Sequence, residues 1–254
     1  SRLEIRPAVE GTYTWFEKTL TFTPKNAWPA GARITVRLEA GARAAGLLPL
    51  AMRQDFELAF QASAPRVAYL FPAGAASDLY AIQPGNGQIQ RLTDLEAGIL
   101  DFSTSFSPPA IFFSLANAAG GGDLYRLDLA RLAAPPASED APEPIELLLA
   151  CPEADCRLPQ VSPGGETLAF EKTVSNASGG LGIPQVWVAD LDVGGRLASE
   201  PTLAGEAAHQ TILGAWSADV KLMYYDIDAS AFTLFTPGEG IQARFSNQTG
   251  EPGS

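Results

Sequence analysis

A recurrence at long, constant spacing constrains this chain more than any other feature in it. Ser107, Ser162 and Ser217 stand 55 residues apart, from 107 to 162 and from 162 to 217. Each stands just ahead of an apolar run: Ile111-Phe112-Phe113, Leu168-Ala169-Phe170 and Leu222-Met223-Tyr224. The first two serines are followed by Pro108 and Pro163, the third by Ala218. A second unit reads polar, apolar, aromatic, any, apolar. It occurs as Asp78-Leu79-Tyr80-Ala81-Ile82, Asp123-Leu124-Tyr125-Arg126-Leu127 and Gln185-Val186-Trp187-Val188-Ala189. A third match joins Gln83-Pro84-Gly85-Asn86-Gly87, leading to Arg91-Leu92-Thr93, with Thr236-Pro237-Gly238-Glu239-Gly240, leading to Arg244-Phe245-Ser246. Its offset is 153 residues, from 84 to 237. Pro-Gly-Asn-Gly between two alternating runs signals a hairpin.

Each repeat holds four strand-like runs in about 45–55 residues, which is the period of a β-propeller blade. Helical periodicity is nearly absent. Ahead of the repeats the pattern is simple alternation: Ile34, Val36 and Leu38 in one run, Leu20 and Phe22 in another, Phe56, Leu58 and Phe60 in a third. Such runs read as strands with one face on a core and one in water. Pro29-Ala30-Gly31 and Gly41 to Gly46 supply turns between them. A boundary is expected near Ala62-Ser63-Ala64-Pro65, dividing residues 1–63 from residues 64–254. Two segments break the regularity. Leu132 to Pro144, rich in Pro, Ala and acids, reads as a solvated loop between two strands of one blade. Ser175 to Gly182 reads as a hairpin loop and a spacer.

The repeats resemble TolB-type propeller blades. That family carries a Phe-Ser-Pro-Asp-Gly turn, an apolar strand, a strand ending in Val-Asp-Leu-Asp-Gly, and a Leu-Thr. The matching stretches are Phe106-Ser107-Pro108, Val161-Ser162-Pro163-Gly164-Gly165, Val188-Ala189-Asp190-Leu191-Asp192 and Arg91-Leu92-Thr93. The turn aspartate is replaced by Pro109 and Gly164 in two copies, and only Trp216-Ser217-Ala218-Asp219 keeps it. The resemblance runs from about Pro65 to the C-terminus. Residues 1–63 resemble the C-terminal part of a bacterial Ig-like domain of the surface-layer type. Gly11-Thr12-Tyr13-Thr14-Trp15, Leu20-Thr21-Phe22-Thr23-Pro24, Pro29-Ala30-Gly31-Ala32-Arg33 and Leu38-Glu39-Ala40-Gly41 carry it. A whole Ig-like sandwich takes about 100 residues, so the early strands are expected to be missing. The first blade, Arg66 to Thr93, holds three strand runs, and only Glu251-Pro252-Gly253-Ser254 follow the last. The expected fold is therefore all-β: a partial Ig-like β-sandwich, then about four blades in an incomplete ring. On this reading the chain is part of a longer one.

Charge and composition narrow the partners. The net charge is −12, with 17 basic and 29 acidic residues. Phosphate backbones and anionic membranes repel such a chain, which argues against nucleic acid. No apolar run reaches the 18 residues of a membrane span. Cys151 and Cys156 are the two cysteines. A disulfide in an oxidising compartment is the favoured reading, with free thiols next. Zinc is disfavoured, because His209 is the one histidine and structural zinc wants four ligands.

No catalytic, cofactor or metal residue is assigned. A nucleophile elbow needs Gly-x-Ser-x-Gly; Ser178 has Gly180 on one side but Asn176 on the other. His209, beside Ala207, Ala208 and Gln210, reads as a loop residue and not as a triad member. Asp190 with Asp192, and Asp226 with Asp228, share faces; strand-end acids that cap turns account for them better than calcium does. Tyr69, Tyr80, Phe112, Tyr125, Phe170, Trp187 and Tyr224 recur at matched positions and read as inter-blade core; a carbohydrate platform is the alternative. Asn176-Ala177-Ser178 and Asn247-Gln248-Thr249 fit the glycosylation sequon, without a glycan expected.

The function expected is non-enzymatic: an extracytoplasmic binding or scaffolding protein of the cell envelope. Resemblance to TolB implies protein or envelope-polymer partners. One alternative is the propeller of a larger, peptidase-like hydrolase whose catalytic domain lies elsewhere; another is a carbohydrate-binding surface module. Ligand, oligomeric state and full blade count are not readable from the residues.

Overall fold

A computed structural model describes residues 3–16, 19–26, 28–29, 32–41, 51–62, 66–73, 76–133, 143–175 and 180–246. Both sequons lie outside the described residues, as do most of the Leu132–Pro144 loop and residues 63–65 of the expected boundary. The chain forms two compact units, residues 1–68 with 81–90, and residues 69–80 with 91–254. No helix among the described residues is long and apolar enough to cross a membrane.

The first unit begins with β1 (Leu3–Arg6), β2 (Gly11–Phe16), β3 (Thr19–Pro24), β4 (Arg33–Leu38) and β5 (Phe56–Gln61). β2 and β3 form an antiparallel hairpin, and β1-β4-β5 form a three-stranded antiparallel sheet. Ile34 on the central strand β4 is fully buried. The alternation in β5 does not produce the half-buried face its pattern predicts. Phe56, Leu58 and Phe60 are 54%, 51% and 38% exposed. β5 is an edge strand, with a neighbour on one side only, so fewer side chains shield it.

Next come β6 (Val67–Phe71), β7 (Asp78–Gln83) and β8 (Gln88–Arg91), a three-stranded sheet in sequence order. The Pro84–Gly87 turn joins β7 to β8, with the Gly87 N–H donating to the Gln83 carbonyl at 2.8 Å. Three four-stranded antiparallel sheets follow, each an up-and-down meander. The first is β9 (Ile99–Phe106), β10 (Pro109–Ala116), β11 (Gly122–Asp128) and β12 (Ile145–Leu149). The second is β13 (Ala154–Val161), β14 (Thr167–Ser175), β15 (Leu181–Asp190) and β16 (Thr202–Leu203). The third is β17 (Thr211–Trp216), β18 (Leu222–Asp226), β19 (Ala231–Thr236) and β20 (Gly240–Ser246). Successive four-stranded meanders that stack face to face are propeller blades.

Two apolar layers hold the stack. Ala110, Phe112 and Leu124 of the β9–β12 sheet meet Leu168 and Phe170 of the next, with Cys151 and Cys156 between them. Ala169, Val186 and Val188 then meet Leu213, Leu222, Tyr224 and Phe235 of the β17–β20 sheet. Alternation decides which side chains enter. In β19, Ala231, Thr233 and Phe235 are buried while Phe232 and Leu234 are not. Each fully buried Phe or Leu contributes about 1.5–3 kcal/mol by leaving water.

The repeated serines close the turns between first and second strands. Ser162 Oγ accepts the Thr167 N–H at 3.1 Å, and Ser217 Oγ accepts the Lys221 N–H at 3.0 Å. Ser107 departs from the pattern, because β9 and β10 are joined by Ser107-Pro108 alone. One short helix, α1 (Leu129–Ala133), stands where a loop was expected to begin. Asp128 Oδ1 accepts the N–H groups of Ala130 and Arg131, both at 3.0 Å, and so serves as its N-cap.

Candidate interaction surface

The polar residue that opens the second repeat unit holds the connection leaving each blade. Asp78 Oδ1 accepts the Thr93 hydroxyl at 2.7 Å and the Leu95 N–H at 3.0 Å, and Arg91 is paired with the same carboxylate. Asp123 Oδ1 accepts the Cys151 N–H at 2.7 Å. Gln185 Nε2 donates to the carbonyls of Ala207 and His209 at 2.7 and 3.3 Å. Apart from Arg91, which ends β8, the partners lie after the last strand of the sheet. The following N–H is also tied down in two copies: Leu79 to Thr93 Oγ1 at 2.9 Å and Val186 to Thr211 Oγ1 at 2.8 Å. These residues tie each blade to the connection that leaves it.

Carboxylates also join blade to blade. Asp101 on β9 accepts the Ser114 hydroxyl at 2.6 Å and the Leu158 N–H of β13 at 2.9 Å. Glu171 on β14 accepts the Leu213 N–H of β17 at 2.7 Å. Leu158 and Leu213 are 55 residues apart, from 158 to 213, and each lies at a break in strand register. Such a bulge frees an N–H from the sheet ladder, and a carboxylate of the preceding sheet accepts it. Burial raises both carboxyls above their usual range, against the hydrogen bonds that favour the charged form. A carboxyl displaced this way in a cleft is a functional candidate. Here both are committed to backbone donors of the next blade. Neither was singled out in the sequence, where nothing local marks an acid that bonds across 57 or 42 residues.

The end of the blades formed by their first-to-second and third-to-fourth strand turns carries exposed apolar tips on a stiff base. Phe106 is 94% exposed and Val193 101%. Phe106 opens the Ser107-Pro108 turn, and Val193 lies in the turn between β15 and β16. Two glycines let the turns approach closely. Gly165 has φ +81° and faces the Ser107 carbonyl so nearly that a Cβ there would overlap it. Gly195 has φ +78°, and a Cβ there would lie 2.8 Å from Pro108 Cγ and 3.1 Å from Arg126 Nε. Asp192 Oδ1 closes the Val193 turn by accepting the N–H groups of Gly194 and Arg196 at 2.8 and 2.9 Å. Those backbone donors, the Arg196 bond foremost, hold its carboxyl below the ordinary range. Beside the tips, Glu146 pairs with the buried Arg126 and, at 3.0 Å, with Arg196 of the next sheet. Arg126 also pairs with Asp128 at 3.0 Å.

Of the residues singled out from sequence, Asp192 lies at this end, where it closes the Val193 turn, and most of the others lie elsewhere. Cys151 and Cys156 are joined by a disulfide and buried in the apolar layer between two blades. His209 Nδ1 lies 2.9 Å from Asp226 Oδ2, and its Nε2 lies 3.4 Å from Glu206, which pairs with Arg244. The Asp226 hydrogen bond raises the histidine pKa. Asp228 accepts the Gln210 N–H at 2.6 Å. Among the described residues no three His, Cys, Asp or Glu side chains group to hold a metal. Phe112, Phe170 and Tyr224 are buried between sheets. Tyr125 stacks on Phe113 with ring centres 5.7 Å apart, and Lys172 Nζ sits 4.8 Å over the Trp187 ring.

No protein-family model and no curated protein matches the chain. Among solved structures it is similar to TolB from Acinetobacter baumannii, at 14% identity and a TM-score of 0.49, over 85% of this chain and 54% of that one. It is similar to a puromycin-hydrolysing peptidase of Mycobacterium tuberculosis, at 16% identity and a TM-score of 0.49, over 85% of this chain and 38% of that one. A calcium-binding protein, regucalcin from Agrobacterium tumefaciens, is similar at 15% identity and a TM-score of 0.43, over 74% of this chain and 63% of that one. The chain thus spans about half the length of the first and less of the second. The blade architecture rests on sheet order and register within this chain.

Proposed function

We propose that this chain is a non-catalytic binding module that works outside the cytoplasm, at the cell envelope. Its propeller blades form a docking platform, and residues 1–63 act as an Ig-like spacer. The observation that carries the reading is the turn end of the blades. Phe106 and Val193 project almost fully into solvent from turns held by glycine contacts and by the Arg126–Glu146–Arg196 network. A rigid base lowers the ordering cost of binding, so two apolar anchors there can supply most of an interface's energy. The disulfide supports an oxidising compartment. The negative charge supports a protein or neutral envelope polymer over nucleic acid.

Affinity capture from envelope extract tests the reading. The wild-type chain is compared with a Phe106→Asp, Val193→Asp double variant. Both side chains are exposed, so the variant keeps its melting temperature and loses the captured partner. Equal capture by both proteins would remove the turn end as the platform.

A further inference from the structure

Of the asparagines in the chain, Asn86 alone is followed by glycine. It stands in the Pro84–Gly87 turn between β7 and β8 and is exposed. An asparagine carboxamide is open to attack at Cγ by the backbone nitrogen of the next residue. Glycine leaves that nitrogen uncrowded, since it has no Cβ. The turn adds to this. Asn86 Oδ1 accepts the Gln88 N–H at 3.0 Å. The hydrogen-bonded ring so closed contains both reacting atoms, Asn86 Cγ and the Gly87 nitrogen. The Gln88 N–H also sits on the oxygen where negative charge develops during the attack.

One bond opposes the reaction: the Gly87 N–H donates to the Gln83 carbonyl at 2.8 Å. Little else holds the turn. Residues 84–90 are all exposed, and nothing lies within 4 Å of a Cβ built at Gly85 or Gly87. Segments so lightly packed open at low cost. Asn117 is the internal contrast. It closes the same kind of ring, with the Ala119 N–H at 3.1 Å. Its Nδ2, however, is held by Asp123 at 3.0 Å and by the Cys151 carbonyl at 3.4 Å, and the residue after it is Ala118.

We propose that Asn86 is a site of spontaneous deamidation in the folded protein. The Gly87 nitrogen bonds to Asn86 Cγ, and the Cγ–Nδ2 bond breaks. Nδ2 leaves as ammonia, carrying the proton that the Gly87 nitrogen gives up. Water then opens the succinimide at either carbonyl, to aspartate or to isoaspartate. Each product adds one negative charge to the turn. The last sheet shows that this turn accepts an acid. Glu239 stands 153 residues after Asn86, from 86 to 239. Its N–H donates to the Thr236 carbonyl at 3.1 Å, as the Asn86 N–H does to Gln83 at 3.3 Å. The aspartate form therefore keeps the hairpin. The isoaspartate form carries an additional main-chain atom ahead of Gly87, which moves its N–H off the Gln83 carbonyl.

Timed incubation of the full chain in mildly alkaline buffer tests the proposal, with a parallel sample unfolded in urea. Tryptic fragments 67–91 and 92–126 carry Asn86 and Asn117. In the folded sample, fragment 67–91 is expected to gain the mass of an amide-to-acid conversion, in two chromatographic forms. Its rate stays within about ten-fold of the rate in urea, because the turn opens easily. Fragment 92–126 stays unchanged. Asn86→Gln keeps its melting temperature, and its fragment gains no mass. Conversion of fragment 67–91 in urea but not in the folded chain overturns the proposal, since the Gly87–Gln83 bond then locks the turn. Equal conversion of both fragments in the folded chain overturns it too, because neither the glycine nor the turn then selects the site. A mass gain that persists in Asn86→Gln belongs to a glutamine and also overturns it.

Discussion

The backbone N–H of Leu158 donates to Asp101 Oδ1 at 2.9 Å, across 57 residues of chain. One side chain of the β9–β12 sheet thereby holds the register break between β13 and β14. Glu171 does the same for Leu213 one blade on, at 2.7 Å.

Asp101→Ala is expected to lower stability by about 1–3 kcal/mol, chiefly the cost of leaving the buried Ser114 hydroxyl without its acceptor. Asp101→Asn keeps an oxygen for Leu158 and should cost less. The two differ in pH dependence. Burial raises the folded-state pKa of Asp101 above its unfolded value. The fold then binds more protons than the unfolded chain between those two values, so stability falls as pH rises through that window. Asp101→Asn removes this fall. Urea melts from about pH 4 to pH 7 should show the variant gaining on the wild-type chain as pH rises; a constant difference would refute the point.

Gly165→Ala is expected to cost more than about 2 kcal/mol. The left-handed backbone alone accounts for about 1–2 of that, and overlap with the Ser107 carbonyl adds to it. Gly85→Ala serves as the control, since nothing lies within 4 Å of its Cβ and its φ is not left-handed. Thermal melts of the two single variants should separate clearly. Equal melting temperatures would mean that the turns do not approach as described.

His209 and Asp226 supply a pH-dependent contact with a defined sign. The Asp226 hydrogen bond raises His209, so its contribution is full below the unfolded histidine value of about 6.5 and is lost as pH rises through the higher folded value. Burial alone would push Asp226 up, but the hydrogen bonds from His209 and from the Ala229 N–H outweigh it and lower its pKa. Its contribution is therefore present above about 3.9 and lost as pH falls through the lower folded value. Together the pair supports the fold most between about pH 4 and 6.5. The melting-temperature gap between the wild-type chain and His209→Gln should be widest there and shrink toward pH 8. A gap that widens with pH would contradict the assignment.

Reduction of the Cys151–Cys156 disulfide is expected to cost about 2 kcal/mol. The loop it closes is short, and loop-closure entropy grows with the logarithm of loop length. Both cysteines are buried against Phe112 and Phe170, so Cys151→Ala with Cys156→Ala should add a packing loss. Urea melts with and without reductant measure the first effect. An unchanged midpoint on reduction would show that the bond does not restrain the fold.

How much of this was legible in the residues differs from element to element. The turn at Pro84–Gly87 and the strands around Phe112, Phe170 and Tyr224 lie where local pattern puts them, because turn chemistry and alternation are properties of neighbouring residues. The α1 turn was missed, since Asp128 caps it from the end of a strand. Alternation in Phe56, Leu58 and Phe60 was read correctly as a strand and wrongly as half-buried. The period of a side-chain pattern states which residues share a face, not what lies against it.

The sequence by itself determined the all-β class, the blade repeat and the hairpins, because 55-residue spacing and two-residue alternation need no distant partner to be read. Only the tertiary structure decided that Asp101 serves Leu158 and Glu171 serves Leu213. It also decided that Gly165 meets Ser107, and that Phe106 and Val193 stand in solvent while Phe112 and Phe170 do not. Each of these depends on which sheet stacks on which. Stacking brings together groups whose separation along the chain is far beyond the reach of any local pattern.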